Sequence, residues 1–168
     1  MKAICLLAIA AALPAAENNL TTTAKERYFN VVRRNLEASA DQMPAGKYGF
    51  RLTDGQMTFA EWLIHATQRN WSDCAVLKGE PTPAAEKQAL LLKNKDEVGK
   101  ALKESFAYCA AALEAVTDQS ATASQASSYA FLHLVVHNNE IYGNVVGYLR
   151  VNGILPPSTA SRKGQQKK

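Results

Sequence analysis

The stretch QASSYAFLHLVVHNNEIYGNVVGYLRVN, residues 125–152, decides the fold. Tyr129, His133, His137, Ile141, Val145 and Leu149 recur every fourth residue, the spacing that stacks side chains on one face of an α-helix. The lower half of that stripe is apolar and needs a partner surface. Gly153 and then Pro156-Pro157 follow the run, so it reads as one long helix closed by a left-handed glycine. Two of the chain's three histidines, His133 and His137, are thereby directed toward the interior of whatever this helix packs into.

Working outward, the other apolar runs carry the same helical period. Thr58-Phe59-Ala60-Glu61 is a capping box, in which the threonine hydroxyl and the glutamate side chain satisfy each other's free amides. It opens a second helix running to about residue 77, with Gly79 just past its end and Phe59, Leu63, Ala66 and Asn70 on an inner face beside His65. A helix over about residues 95–117 places Asp96 and Glu97 at the positive end of its dipole. The first helix covers about residues 22–42, with Tyr28, Val31, Val32, Asn35 and Leu36 marking its face, and stops before Met43-Pro44.

The connections are loops by composition. Residues 44–56 contain Gly46, Gly49, Asp54 and Gly55, though Tyr48, Phe50 and Leu52 are apolar enough to lie on the helices. Residues 81–92 read as a kinked link, with Thr82 as N-cap and Pro83 opening a short helical piece. Residues 118–124 read as a polar loop. No run alternates as a strand would, and no fixed repeat appears. The fold class is therefore all-α, a four-helix bundle.

A chain of 168 residues, 47% hydrophobic, supports one sizeable core and one domain, here residues 20–157. Residues 1–16, with Lys2, an apolar run and the small Ala15-Ala16, read as a secretory signal peptide; the competing reading is an extension of a cytosolic protein. Export would place the protein in the periplasm or outside the cell. No other apolar run is long enough for a membrane span.

The net charge of +4 sits at the ends: setting aside Lys2 and the tail cations Arg162, Lys163, Lys167 and Lys168 leaves −1 for the domain. Nothing in that balance points to nucleic acid. The basic tail, residues 158–168, has no apolar anchor and is expected to lack fixed structure. Cys5 leaves with the leader, so Cys74 and Cys109 remain, either as a bridge between the second and third helices or as two buried thiols. Cys74 lies about 13 Å along the helix axis from His65, too far to share an ion with it.

Histidines projecting from facing helices are how bundles hold zinc, nickel or iron, and three of them would leave a position open for a ligand. His65, His137 and His133 are the candidate ligands, with Glu140 a conceivable addition. The alternative is three partly buried imidazoles satisfied by carbonyls, Tyr or Asn side chains. The chain has no glycine-rich phosphate loop, nucleophile elbow or telling pair of carboxylates.

The run from Met43-Pro44 to Tyr48-Gly49-Phe50-Arg51 continues into the segment from Thr58-Phe59 to Ile64-His65. Together with Leu132-His133, the segment from His137-Asn138-Asn139-Glu140 to Ile141-Tyr142-Gly143, Tyr148-Leu149-Arg150 and Gly153-Ile154-Leu155-Pro156-Pro157, it resembles the DinB-like (YfiT-type) family. The resemblance spans nearly all of the chain after the leader and is patchy over residues 80–95. It implies an up-down-down-up bundle, frequently a homodimer, with three histidines holding a divalent metal below a cleft for a small-molecule ligand. Some relatives are thiol-dependent transferases or isomerases.

Matched residue by residue, His65 and His137 fall on ligand positions, while Ile141 stands where the third histidine is expected. Asn144 replaces a glutamine. His133, one turn earlier, could substitute only if the ion moved by roughly 5 Å. Two functional expectations follow: a DinB-like envelope protein that binds a divalent metal through an incomplete site, or a metal-free bundle with a binding or structural role. A thiol transferase in the envelope would stand apart from cytosolic thiol pools.

Overall fold

The computed structural model describes residues 19–165. Residues 1–18, which include Cys5 and the segment expected to be a signal peptide, and residues 166–168 of the tail lie outside the described residues. Helix α1 covers residues 20–42, built from Leu20–Thr23, a π-helical stretch Ala24–Phe29 and Asn30–Gln42. Helix α2 is Phe59–Lys78, α3 is Lys95–Ala115, α4 is Gln125–Val151 and α5 is Pro157–Gln165. No strand occurs among the described residues.

Each long helix begins where a side chain accepts one of its free amides. Asn19, Thr58, Asn94 and Ser124 do so for α1 to α4, and the Thr58–Glu61 box is complete. Asp118 adds a distant cap to α1, accepting from the amides of Leu20 at 3.0 Å and Thr21 at 2.8 Å. The wider π-turn rotates the face of α1. Phe29, Val32 and Leu36 are fully buried, whereas Tyr28 and Val31, expected on that face, are exposed.

The pairings between helices fix their directions. Asn70 bonds Ser105 and Cys74 is joined to Cys109, equal steps along both helices, so α2 and α3 run parallel. Lys25 with Glu114, Phe29 with Phe106 and Asp41 with Lys103 count in opposite directions, making α1 antiparallel to α3. Trp62 with Tyr148, His65 with His137 and Asp73 with His133 make α2 antiparallel to α4. Parallel neighbours need a return path the length of a helix, about 30 Å here, and residues 79–94 supply it through the short turns Ala85–Gln88 and Ala89–Leu91.

Phe29, Leu36, Phe59, Leu63, Leu102, Phe106, Leu134, Ile141, Tyr148 and Leu149 are core residues from all four long helices. Cys74 and Cys109 form a disulfide inside this core, with Cα atoms 5.2 Å apart.

Two connections and the tail differ from the sequence expectation. Thr82 caps nothing: the turn Ala85–Gln88 follows Ala84 and has no side-chain cap. The polar loop after α3 contains a helical turn, Asp118–Ala121, held by its own capping box between Thr117 and Ser120. Residues 158–165 of the tail, expected to lack fixed structure, lie in α5 instead. Pro156 and Pro157 are buried, and the Tyr142 hydroxyl both donates to Ser158 Oγ at 2.9 Å and accepts from its amide at 3.0 Å. The anchor missing from the tail's own composition comes from α4.

Candidate functional site

All three histidines sit where α2 passes α4. Because the helices are antiparallel, His65 meets His137, and Asp73, two turns further along α2, meets His133 one turn back on α4. The Nε2 atoms of His65 and His137 are 2.9 Å apart, with the rings nearly perpendicular at 87°. Along α4 the four-residue spacing stacks Tyr129 on His133 at 5.1 Å and His133 on His137 at 4.4 Å between ring centres.

The stripe on α4 therefore divides. Ile141, Val145 and Leu149 are fully buried, the two histidines lie at the rim, and Tyr129 is exposed.

Bonding fixes the tautomers. His133 Nδ1 lies 2.7 Å from Asp73 Oδ2, and His137 Nδ1 lies 3.2 Å from Glu140 Oε2. A carboxylate only accepts, so both Nδ1 atoms carry a hydrogen, and in the neutral rings both Nε2 atoms keep their lone pair. In the neutral pair, His65 Nε2–H then donates to His137 Nε2. Burial holds His65 below its ordinary pKa, and the neighbouring His137, Arg69 and His133 push the same way against Glu140.

A polar thread runs inward from this cluster. The Asn138 side-chain amide donates to Asn70 Oδ1 at 2.8 Å, and Asn70 donates to Ser105 Oγ at 3.1 Å. Asn138 Oδ1 is buried without a partner.

Beside His65 opens a cleft of about 470 Å³, with Arg51, Gln56, Met57, Ile64 and Gln68 among its walls. That volume suits a small molecule. A shallower depression lies over His133, His137 and Glu140.

Whether these residues suit an ion depends on the donors. With metal–nitrogen bonds of about 2.0–2.1 Å, two ligating nitrogens stand about 2.9 Å apart at a right angle and about 3.3 Å apart at a tetrahedral one. His65 and His137 therefore need to open by only a few tenths of an ångström. Carboxylates on the Nδ1 atoms of the α4 histidines are the usual support of ligating imidazoles. Among the described residues, however, no three His, Cys, Asp or Glu side chains already stand together as a ligand set. Ile141 lies in the core and offers no donor. His65 and His137 thus supply two nitrogens at nearly the separation of a ligand pair, with His133 stacked beside His137.

A family model of the DinB superfamily matches residues 28–140. The chain belongs to the DinB superfamily. The matched region takes in His65, His133 and His137 and stops one residue short of Ile141. No curated protein and no solved structure matches the chain.

The sequence singled out the three histidines of this DinB superfamily member but missed Asp73 and Arg69. The available signal was the i, i+4 pair they form on α2, one and two turns beyond His65.

Proposed function

We propose that this DinB superfamily protein binds a divalent metal through His65 and His137, with His133 as the nearest further donor. The observation that carries the reading is the convergence of two Nε2 atoms at 2.9 Å from facing helices. An ion there would supply Lewis-acid chemistry. The protein's own groups have separate tasks. Burial disfavours the charged form of His65, and the Glu140 carboxylate orients His137. The cleft beside His65 receives a small molecule.

The test is elemental analysis of the purified protein, with zinc, nickel and iron titrations of the parent, His65→Ala and His137→Ala. Near-stoichiometric metal in the parent, lost in both variants, is the expected result. An affinity unchanged by either substitution would refute the reading.

A second reading, a metal-free bundle that binds a partner or ligand, is favoured by Ile141, fully buried where a third ligand would be needed. Export to the periplasm or beyond is supported by the Cys74–Cys109 bridge, since such bonds persist in oxidising compartments. Homodimer formation is supported by an apolar groove of about 390 Å³ between α1 and α4, where Leu20, Tyr28, Leu132 and Val136 are exposed together.

A further inference from the structure

We infer that the cleft beside His65 takes a small zwitterion, an α-amino acid with an apolar side chain, its carboxylate at Arg51 and its ammonium at Glu61. This inference rests on the reading of that cleft as a small-molecule site and not on an ion at the histidine pair.

The floor of the cleft is one stripe of α2. Glu61, Ile64, His65 and Gln68 follow at i, i+3, i+4 and i+7, so their side chains share a face. One wall is the loop before α2, and two backbone bonds pin that loop to the first turn of the helix. The Phe59 amide donates to the Phe50 carbonyl and the Ala60 amide to the Tyr48 carbonyl, each at 2.9 Å. Arg51 follows directly from this anchor. Leu90 comes from the connection between α2 and α3, which is tied down where Gln68 Nε2 donates to Glu86 Oε1 at 3.2 Å.

Charges of both signs line this space. Arg51 makes no ion pair among the described residues. Its hydrogen bond to the Asp54 carbonyl, at 3.5 Å, is at the edge of bonding range. Glu61 is a fixed anion: its Oε2 accepts from the Thr58 amide at 2.6 Å. Its pKa is held below the ordinary value, chiefly by the bonds to Thr58 and further by the charge of Arg51. Asp54 adds a second carboxylate.

A purely anionic ligand would meet two carboxylates, and a purely cationic one would leave Arg51 unpaired. A molecule with one charge of each sign answers both. The unpaired guanidinium can grip a carboxylate through two parallel bonds. Beside these charges, Met57 and Leu90 are 40% and 60% exposed and Ile64 is partly buried, an apolar surface that suits an apolar side chain.

The test follows the backbone amide shifts of the full purified protein, kept metal-free with a chelator, as L-leucine, L-leucinamide or N-acetyl-L-leucine is added at pH 7. Leucine should bind, with shifts at residues 51–57, Glu61 and Leu90, and each blocked compound should bind about 10- to 100-fold more weakly. Arg51→Gln should weaken leucine by a similar factor and leave leucinamide unchanged, because the amide has no carboxylate to lose. Glu61→Gln should weaken leucine and leave N-acetylleucine unchanged. Glutamine can still close the capping box, so the start of α2 survives that change.

Leucinamide or N-acetylleucine binding in the cleft as tightly as leucine would overturn the inference while keeping the cleft as a small-molecule site. No shift in the cleft with any of the three would also overturn it. The metal-binding reading stands or falls separately, on the titrations of His65→Ala and His137→Ala.

Discussion

Ile141 occupies a fully buried site in the apolar core, one turn beyond His137. Ile141→His would bring ring nitrogens into surroundings that offer no partner, at a cost of about 1–3 kcal/mol. We expect its Tm to fall by roughly 3–10 °C without metal. Added zinc should raise the Tm of the variant more than that of the parent, because a ligand that binds only the folded state stabilises it. Thermal melts with and without zinc check both outcomes, and an equal zinc shift in parent and variant would show that the new imidazole does not reach the ion.

His65 supplies a pH dependence. Its folded pKa is depressed, chiefly by burial, from an ordinary value of 6.5, so the unfolded chain binds the proton more readily. The stabilisation is present above pH 6.5 and is lost as pH falls below it toward the folded value. The metal-free protein should therefore lose Tm between pH 7.5 and pH 5.5, and His65→Phe should flatten that part of the profile.

At the scale of the element, the Thr58–Glu61 box and the bridge between α2 and α3 make separable contributions. Thr58→Ala removes the acceptor for the Glu61 amide and should cost about 1 kcal/mol, read as a lowered urea midpoint with unchanged slope. The disulfide closes a loop with a sequence separation of 35, for which chain entropy alone gives about 4 kcal/mol. Cys74→Ala/Cys109→Ala should lower the urea midpoint by more than Thr58→Ala does. A double variant as stable as the parent would mean that packing alone holds α2 against α3.

These elements also show what the sequence could disclose. The capping box, Gly79 and Gly153 are local signals, and the boundaries they mark were legible; both glycines adopt positive φ, 67° and 74°. The π-turn in α1 was not, because its cost is met by burying Phe29 against Phe106 on a different helix. The tail's order was equally hidden, since it depends on the Tyr142 hydroxyl. In the site, the histidines stood out by their rarity, but Asp73 looked like any charged residue on a helix until the antiparallel passage of α2 along α4 set it against His133.

For the whole molecule, the apolar groove between α1 and α4 bears on assembly. Tyr28, Leu132 and Val136 are more than half exposed, and a charge among them should break self-association while leaving the core intact. Light scattering coupled to size exclusion should give a dimer mass for the parent and a monomer mass for Val136→Asp, with the same helical signal from each. A parent that is monomeric across the concentration range would remove the dimer from consideration.

The buried Cys74–Cys109 bond has a consequence for how the protein matures. The full chain has three cysteines, which allow three pairings, two of them joining Cys5 to a residue that belongs in the core. A chain without its first sixteen residues has two cysteines and one pairing. Within such a chain only the native pairing can form, so it would need an electron acceptor to mature but no isomerase to correct it.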